Sequence, residues 1–348
     1  MPIGECAQQE RSELANGSSK PGSGELRTES LFQRPSIVHA NQLGVPLHSS
    51  ASVAELLGSL PKILAGDEFR KWRDALCRAR RNKRPVVAAI GGHVIKAGCG
   101  PYLIDWLNRG VLTAVAMNGA AAIHDIELAL AGHTSEHVES RLLEGRFGTA
   151  REPAELFARA ASQAACSDRG LGEMLGSQLL DVKCSHPQTS VLRAAFQRGV
   201  SCTVHVSLGA DVVHMHAAVS GADLGAASMI DFRRLCAIVC DLEGGVWMNL
   251  GSAVILPEVF LKAVAIARNK GHDMSTMTTV DLDMIRSYRA RVNVLQRHRC
   301  KSIAITGHHE IILPLLHAAV AAELANCAEL LHESHLNTPL RGGVENEC

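Results

Sequence analysis

The sequence has few aromatic residues, no net charge, no closely spaced cysteine pair and no long apolar run. Aromatic residues make up 3% of the 348 residues although 47% are hydrophobic, so the apolar mass is Ala, Val, Leu and Ile. Such residues suit helices packed on a parallel sheet. Lys+Arg and Asp+Glu are both 35, so overall charge attracts neither nucleic acid nor a membrane surface, and we predict neither partner.

Cysteine spacing and hydropathy indicate the cellular compartment of the protein. The eleven cysteines form no CxxC pair and no framework of a small disulfide-bonded domain, so we expect reduced thiols. No apolar run approaches the ~20 residues that span a bilayer. The N-terminus lacks the apolar core of a signal peptide, so we expect a cytoplasmic protein.

Composition predicts one folded domain between two tails. Residues 1–35 are rich in Ser, Gly, Glu and Gln and predict a disordered tail, and residues 334–348 predict another. Residues 36–333 contain no internal repeat and no obvious linker. Five or six short apolar runs, Val246–Leu250 among them, alternate there with helical segments such as Asp231–Asp241. This alternation predicts an α/β fold with a doubly wound, mainly parallel sheet of about six strands flanked by helices, of the Rossmann-like kind.

Glycines and polar residues follow the first two predicted strands. Val86–Ile90 runs into Gly91-Gly92-His93, and Val111–Met117 runs into Asn118-Gly119. Ligands in open α/β sheets bind beyond the carboxyl ends of strands. The first turn lacks the full G-x-G-x-x-G fingerprint, so it indicates either a tight turn or a phosphate or ribose contact. Asn118 is either a helix cap or part of an anion site.

Ionisable residues are unusually dense in three later places. The helix after Asn118 carries His124, Asp125 and Glu127 within one turn, more than a cap requires, which favours a role in a site. Two histidine groups follow further strands. One is His205, His214 and His216 around Asp211, and the other is His308 and His309 beside Glu310. In an extended segment, His214 and His216 would point to one side. They could build a metal site, but the spacing matches no zinc pattern, so we favour histidines that line a polar crevice and predict no metal.

Taken together, these strand ends resemble the deoxyhypusine synthase family across roughly residues 80 to 325. The similar segments are Gly91-Gly92-His93-Val94-Ile95, Met117-Asn118-Gly119-Ala120 with Asp125, Ser207-Leu208-Gly209-Ala210-Asp211 with His216, Gly251-Ser252-Ala253-Val254, and Leu313-Pro314-Leu315. Part of the pattern is also similar to the NAD-binding domain of archaeal-type ornithine cyclodeaminases.

The resemblance implies an NAD-binding fold, a homotetramer with NAD across subunit interfaces, and oxidation of an amine by hydride transfer. The family passes its product through a catalytic lysine, whereas this chain offers Ser287-Tyr288-Arg289-Ala290-Arg291. Arginine stays protonated and cannot form the imine that a lysine forms. Pro257-Glu258 replaces the family's active-site histidine pair, and His308 replaces an aspartate. The lysine relay is therefore not expected.

We accordingly predict an NAD-dependent transferase or amine-oxidising enzyme that acts on an amine or polyamine-like small molecule without a lysine-bound intermediate. We expect Asp283 to pair a substrate ammonium and Glu258 or a histidine to carry a proton. Two alternatives stay open: a metal-dependent hydrolase or lyase using His214, His216, His308 and His309, and a nucleotide-binding regulatory protein without catalysis. The predicted cofactor residues are Gly92, His93, Asn118, Gly119, Asp125, Asp211, Gly251 and Ser252, and the predicted catalytic residues are Glu258, Tyr288, His308, His309 and Asp283.

Overall fold

Six parallel strands form one sheet in the order β3-β2-β1-β4-β5-β6. The structure is a computed structural model that describes residues 28–336, with side chains up to residue 325. This is the strand order of dinucleotide-binding Rossmann folds. The strands are β1 (Val86–Ile90), β2 (Ala114–Asn118), β3 (Ser201–His205), β4 (Val246–Leu250), β5 (Thr278–Asp283) and β6 (Lys301–Thr306).

Helices connect the strands and cover both faces of the sheet. The α-helices of the described residues are α1 (Val53–Ser59), α2 (Leu64–Arg81), α3 (Gly92–Lys96), α4 (Gly100–Asn108), α5 (Gly119–Ala131), α6 (Val138–Leu143), α7 (Arg151–Ala165), α8 (Leu171–Asp181), α9 (Val191–Gln197), α10 (Gly221–Cys240), α11 (Ile255–Asn269) and α12 (His309–Leu336). Short 3-10 turns occupy Ala40–Gln42, Pro187–Thr189 and Val212–Met215, and Ala290–Gln296 is a π-helix.

The predicted doubly wound sheet is confirmed by the way alternate residues of β1 pack. Val86, Ala88 and Ile90 join a large core that includes Trp72 of α2 and Trp106 of α4. Val87 and Ala89 join a second core that includes residues of α10 and α11. All five residues of β1 are buried, because a strand covered on both faces must be apolar throughout.

Serine and asparagine side chains fix where several helices begin. Ser52 and Glu55 form a capping box at α1, and Asn118, Ser190 and Ser220 cap α5, α9 and α10 through their side-chain oxygens. These caps satisfy backbone N–H groups that have no partner within the helix. Asn118 therefore serves as the cap that its position suggested.

Two local expectations differ from the structure. Helix α10 begins at Gly221, ten residues before the expected start at Asp231, because Ser220 caps it there. The expected placement of His214 and His216 on one side of an extended segment is wrong, because Val212–Met215 is a 3-10 turn. That turn points the two imidazoles to different partners.

Packing divides the chain into two units, Met1–Asn41 and Gln42–Cys348. In the first unit, residues 28–41 contain a turn near Leu31 and Phe32, whose side chains are exposed. The predicted tails fall largely outside the described residues, so the tail boundaries stay predictions. Within the described part of the chain, no helix is both long enough and apolar enough to cross a membrane.

Candidate active site

The ends of β1 and β4 meet at the point where the sheet reverses its strand order. The backbone N–H of Gly91 donates to the Leu250 carbonyl at 2.9 Å, and that of Gly251 donates to the Leu282 carbonyl at 3.0 Å. A Cβ on Gly91 would lie 2.0 Å from the Gly251 carbonyl oxygen. Gly251 has φ +62°, a conformation that glycine adopts without strain. These glycines let the two backbones approach closely at the carboxyl ends of the strands, the place where ligands of open α/β sheets bind, and we call this region the switch-point crevice.

His309 and Asp283 border the switch-point crevice on the side of β5 and β6. His309 has an exposed fraction of 0%, and its Nε2 donates to the Leu282 carbonyl at 3.2 Å. Its Nδ1 therefore carries the lone pair and has no partner among the described residues. Burial lowers the pKa of His309, and its ring centroid lies 5.5 Å from that of the exposed His93. Asp283 is half-buried and uses one oxygen to accept from the Met284 N–H at 2.7 Å.

The remaining predicted catalytic residues do not share one position. Glu258 accepts from Lys262, from Asn293 Nδ2 at 2.9 Å and from Arg289 Nε at 3.1 Å. The hydrogen bond from Lys262 leads these in holding the pKa of Glu258 below its usual value, so Glu258 stays ionised. An ionised carboxylate held by three donors suits the role of a fixed negative charge better than that of a proton carrier.

Tyr288 and His308 lie at the surface of the same edge. The exposed fraction of Tyr288 is 63%. His308 is also exposed, and its Nδ1 lies 3.6 Å from a carboxylate oxygen of Glu310. His308 directly precedes the buried His309, so the two predicted histidines differ completely in access to a dissolved ligand.

Three of the predicted cofactor residues gather where α5 begins. Asn118 accepts from the Ala121 N–H at 2.9 Å, and Asp211 accepts from the Ser207 N–H at 3.1 Å. A Cβ on Gly119 would lie 2.1 Å from Asp211 Oδ2, so glycine leaves room for this carboxylate against the helix. Burial raises the pKa of Asp211. The side chain already covers the positive end of α5, where an anion would otherwise be stabilised.

Asp125, also predicted to contact the cofactor, lies inside the core beneath α9. It has an exposed fraction of 0% and accepts from Ser190 Oγ at 2.6 Å, Val191 N–H at 2.8 Å and Leu192 N–H at 3.2 Å. Burial raises its pKa to about 6 despite these three hydrogen bonds. The carboxylate is fully used in holding the start of α9 and does not reach the switch-point crevice.

A pocket of about 780 Å³ lies beside α5, between this helix and the segment that follows it. We call it the side pocket. His124 Nδ1 lies 2.7 Å from Thr134 Oγ1, and the Thr134 hydroxyl donates to Glu127 at 2.5 Å. A Cβ on Gly92 would lie 3.1 Å from His124, so the side pocket adjoins the end of β1. Thr134 is not among the predicted site residues, because nothing in the nearby sequence marks a threonine ten residues from the histidine that it contacts.

The histidines of the alternative metal-dependent site contact different partners. His214 Nδ1 accepts from the Gly209 N–H at 3.1 Å, and His216 Nε2 donates to the Gly148 carbonyl at 3.2 Å. His205 is buried, and burial lowers its pKa to about 4. Among residues 28–325, no three His, Cys, Asp or Glu side chains come together as a metal ion would require.

Solved structures share this architecture. The ternary complex of AgrE with ornithine and NAD+ matches with a TM-score of 0.50 and 14% identity, over 74% of this chain and 33% of the AgrE chain. The chain has a deoxyhypusine synthase-like fold. A putative deoxyhypusine synthase from Entamoeba histolytica matches with a TM-score of 0.49 and 10% identity, over 80% of this chain and 96% of that one. A putative LOR/SDH protein from Methanococcus maripaludis matches with a TM-score of 0.47 and 15% identity, over 79% and 71%.

This likeness extends to the fold alone. No model of a known protein family matches the chain, and no curated protein matches its sequence. The chain also spans only about one third of the length of AgrE. Any activity must therefore be argued from the residues at the strand ends.

The residues at the switch-point crevice fit a dinucleotide in part. The ends of β1 and β4 lie where dinucleotides bind in sheets of this strand order, and α11 begins shortly after Gly251-Ser252. The start of α5 fits a phosphate poorly, because Asp211 already covers it.

Proposed function

We propose that this protein is an NAD-dependent enzyme that oxidises an amine-bearing small molecule and does not use a lysine-bound imine. The observation that carries the proposal is the close approach of the glycine-bearing ends of β1 and β4 at the reversal of a 3-2-1-4-5-6 sheet. The shared fold with AgrE, whose complex holds ornithine and NAD+, supports both the cofactor and the amine.

The proposed cofactor roles are based on where each residue lies at the strand ends and on its charge. Gly92, Gly251 and Ser252 would face the dinucleotide backbone, with the pyrophosphate toward the start of α11. His93 is exposed beside them and would contact the ribose or the nicotinamide. Asp211 would accept from hydroxyl groups of the cofactor and not from its phosphates, since two negative charges repel. NAD, when bound, would supply the acceptor for the hydride.

The substrate roles use the other border of the crevice. Asp283 would pair with the substrate ammonium, because it is half-buried and keeps a free carboxylate oxygen. His308 is exposed and would take the proton that the nitrogen releases. The buried His309 would position the ends of β4 and β5 through the Leu282 carbonyl. With arginine at positions 289 and 291, the imine would be released and hydrolysed by water.

Assembly into a homotetramer is part of the proposal. Five large apolar side chains are exposed along the carboxyl edge of β4 and β5 and the start of α12, where a second copy would cover them. They are Val254, Met284, Ile285, Tyr288 and Ile311. Ile285, with an exposed fraction of 76%, is the most exposed of them. We expect light scattering to give a tetramer and Ile285→Asp to shift it toward smaller species. A wild-type monomer would contradict this arrangement.

Cofactor binding is the first test. We expect saturable binding of NAD+ by calorimetry, and weaker binding to Asp211→Asn, which keeps an oxygen for the Ser207 N–H but loses the charge. A lost hydrogen bond to a charged group costs about 1.5–3 kcal/mol, which is roughly a 10- to 100-fold loss of affinity. Asp241→Asn is the matched control, since Asp241 precedes β4 at the opposite edge of the sheet.

Turnover separates the enzyme from a binding protein. The purified chain would be assayed for NADH formation with ornithine, lysine, putrescine and spermidine, alongside Asp283→Asn. We expect one amine to give NADH, with a raised KM in the variant because the ammonium loses its partner. NAD+ binding without turnover would favour the nucleotide-binding regulatory protein. No NAD+ binding would refute the cofactor and with it the proposed reaction.

A further inference from the structure

The connections that lead into the six strands carry a concentration of positive charge. Because the sheet is parallel, all of them lie at its amino edge, opposite the switch-point crevice, and we call this surface the amino-edge face. Its segments are residues 78–85, 108–113, 197–200, 240–245, 268–277 and 296–301. They contain twelve of the 35 Lys and Arg but only three of the 35 Asp and Glu, and all twelve basic residues are exposed. The overall charge of zero predicted no nucleic acid partner, but it says nothing of how charge is distributed over the surface.

Hydrogen bonds hold neighbouring connections together without neutralising their charge. Arg80 donates to the Arg109 carbonyl at 3.2 Å, and Arg268 donates to the His298 carbonyl at 2.6 Å. These acceptors are neutral, so the two guanidinium groups keep their full charge, whereas Arg109 is ion-paired with Asp105. Six further basic side chains have neither an ion pair nor a hydrogen bond within the described part of the chain: Arg78, Lys83, Arg84, Lys270, Arg299 and Lys301.

Two of these six residues adopt a backbone conformation that normally belongs to glycine. Each of the six connections has one residue with a left-handed φ, and in four of them it is a glycine, at positions 110, 199, 244 and 271. In the other two it is Lys83, with φ +52°, and Arg299, with φ +53°. A residue with a side chain loses stability in this conformation, and such strain accumulates at functional sites. Attraction to helix carboxyl ends explains basic residues in a last helical turn, but Lys83 and Arg299 lie beyond their helices.

Acidic residues divide the amino-edge face in the middle. Asp241 and Glu243 precede β4, whereas the connections before β1, β2 and β3 on one side, and those before β5 and β6 on the other, are basic apart from Asp273. The starts of β1 and β5 are two strand spacings apart, which is about 10 Å. The grooves of a DNA duplex are about 6 and 12 Å wide. Two basic groups on either side of an acidic strip therefore match the two phosphate rows that border a groove.

The residue types of the amino-edge face do not suit a membrane or a single strand of nucleic acid. None of the exposed large apolar residues of the described chain belongs to the six connections, whereas binding to a membrane surface depends on apolar side chains as well as on charge. The six connections contain no Phe, Trp or Tyr, and proteins that bind single strands stack bases on such side chains. Both observations favour a duplex that is held by its phosphates.

We propose that the amino-edge face binds the sugar–phosphate backbone of a nucleic acid duplex. The basic groups on the two sides of Asp241 and Glu243 contact the two rows of phosphates, and Lys83 and Arg299 supply one contact on each side. Contacts to phosphates carry no sequence information, so this binding is independent of sequence. The face lies at the edge of the sheet opposite the switch-point crevice, so the inference does not depend on the proposed dehydrogenase.

Fluorescence anisotropy with labelled DNA and RNA duplexes of arbitrary sequence measures this binding. About five phosphate contacts should lower the affinity roughly 500-fold between about 50 and 200 mM salt. Absence of binding to both duplexes, or an affinity that does not fall with salt, would overturn the proposal. Tighter binding to vesicles of phosphatidylserine and phosphatidylcholine than to either duplex would assign the face to a membrane and would also overturn it.

The double variant Lys83→Gly with Arg299→Gly separates binding from stability. Relief of two left-handed conformations should raise the melting temperature by roughly 1–3 °C, so a failure to fold is not expected. Loss of two phosphate contacts should reduce the slope of log affinity against log salt by about two. Lys83→Arg with Arg299→Lys keeps both charges and should bind as the wild type does.

Leu64→Gly is the matched control for backbone strain. Leu64 has φ +48° at the start of α2, at the end of this helix that is remote from the amino-edge face. Its replacement should also raise the melting temperature but should leave duplex binding unchanged. A salt slope of the double glycine variant equal to that of the wild type would overturn the proposal, and so would an equal loss of binding in Leu64→Gly.

Discussion

Replacing Asp125 with alanine should unfold the protein more easily without altering the switch-point crevice. The substitution removes the acceptor of Ser190 Oγ and of the N–H groups of Val191 and Leu192, all at the start of α9. Each buried donor left without a partner costs about 1–3 kcal/mol, so for three donors the free energy of unfolding should fall by roughly 3–9 kcal/mol. Above about pH 6 the wild type buries the ionised carboxylate of Asp125, which costs free energy. Asp125→Ala avoids this cost, so part of its loss of stability is offset there.

Urea unfolding at neutral pH, followed by circular dichroism, measures this loss. Asp125→Asn is the matched control, because it keeps the shape and one acceptor oxygen and so should lose only about 1–3 kcal/mol. NAD+ affinity, measured well below the unfolding transition, should match the wild type in both variants. An unfolding midpoint of Asp125→Ala equal to that of the wild type would refute the capping role. A selective loss of NAD+ binding at normal stability would restore Asp125 as a cofactor contact.

Two further predictions concern the close approach of the strand ends and the buried acid of α10. Gly91→Ala would place Cβ 2.0 Å from the Gly251 carbonyl, so we expect a large fall in melting temperature, whereas Gly225→Ala in open space on α10 should raise stability by about 0.5–1 kcal/mol. A variant Gly91→Ala as stable as the wild type would contradict the contact. Burial raises the pKa of Asp231 from 3.8 to about 7, so the native state holds this proton more tightly than the unfolded state does. The stabilisation by protonated Asp231 is therefore complete below about pH 4 and is lost as the pH rises through about 7. The loss should reach roughly 4 kcal/mol relative to Asp231→Asn, and urea titrations at each pH measure it. A constant difference between the two proteins across this range would refute the buried charge.

The sheet could be predicted because its strands are unambiguous in the sequence. Val86–Ile90 and Val246–Leu250 have the predicted bounds, since short runs that are apolar on both faces leave little choice. Right-handed crossovers restrict the possible strand orders without fixing one, and the resemblance to a family gave the same fold. Helix α10 was predicted ten residues short, because Gly221 and Gly225 disfavour a helix that Ser220 and tertiary packing nevertheless establish.

Spatial relations between loops could not be predicted in this way. Asp211 reaches the start of α5 from the loop after β3, and the contact depends on Gly119 having no side chain. The buried position of His309 and the exposed position of its neighbour His308 depend on where α12 begins. Both are settled by three-dimensional packing, for which neighbouring residues in the sequence carry no signal.

Helix α5 shows that ionisable residues close together in the sequence can have different roles. His124, Asp125 and Glu127 looked like a single site because they lie within one turn. Residues three apart share a helix face, whereas adjacent residues point about 100° apart. His124 and Glu127 therefore face the side pocket together, and Asp125 turns into the core to cap α9. A cluster of ionisable residues on a helix should be divided by face before it is assigned to one site. The unfolding experiment on Asp125→Ala tests the face that points into the core.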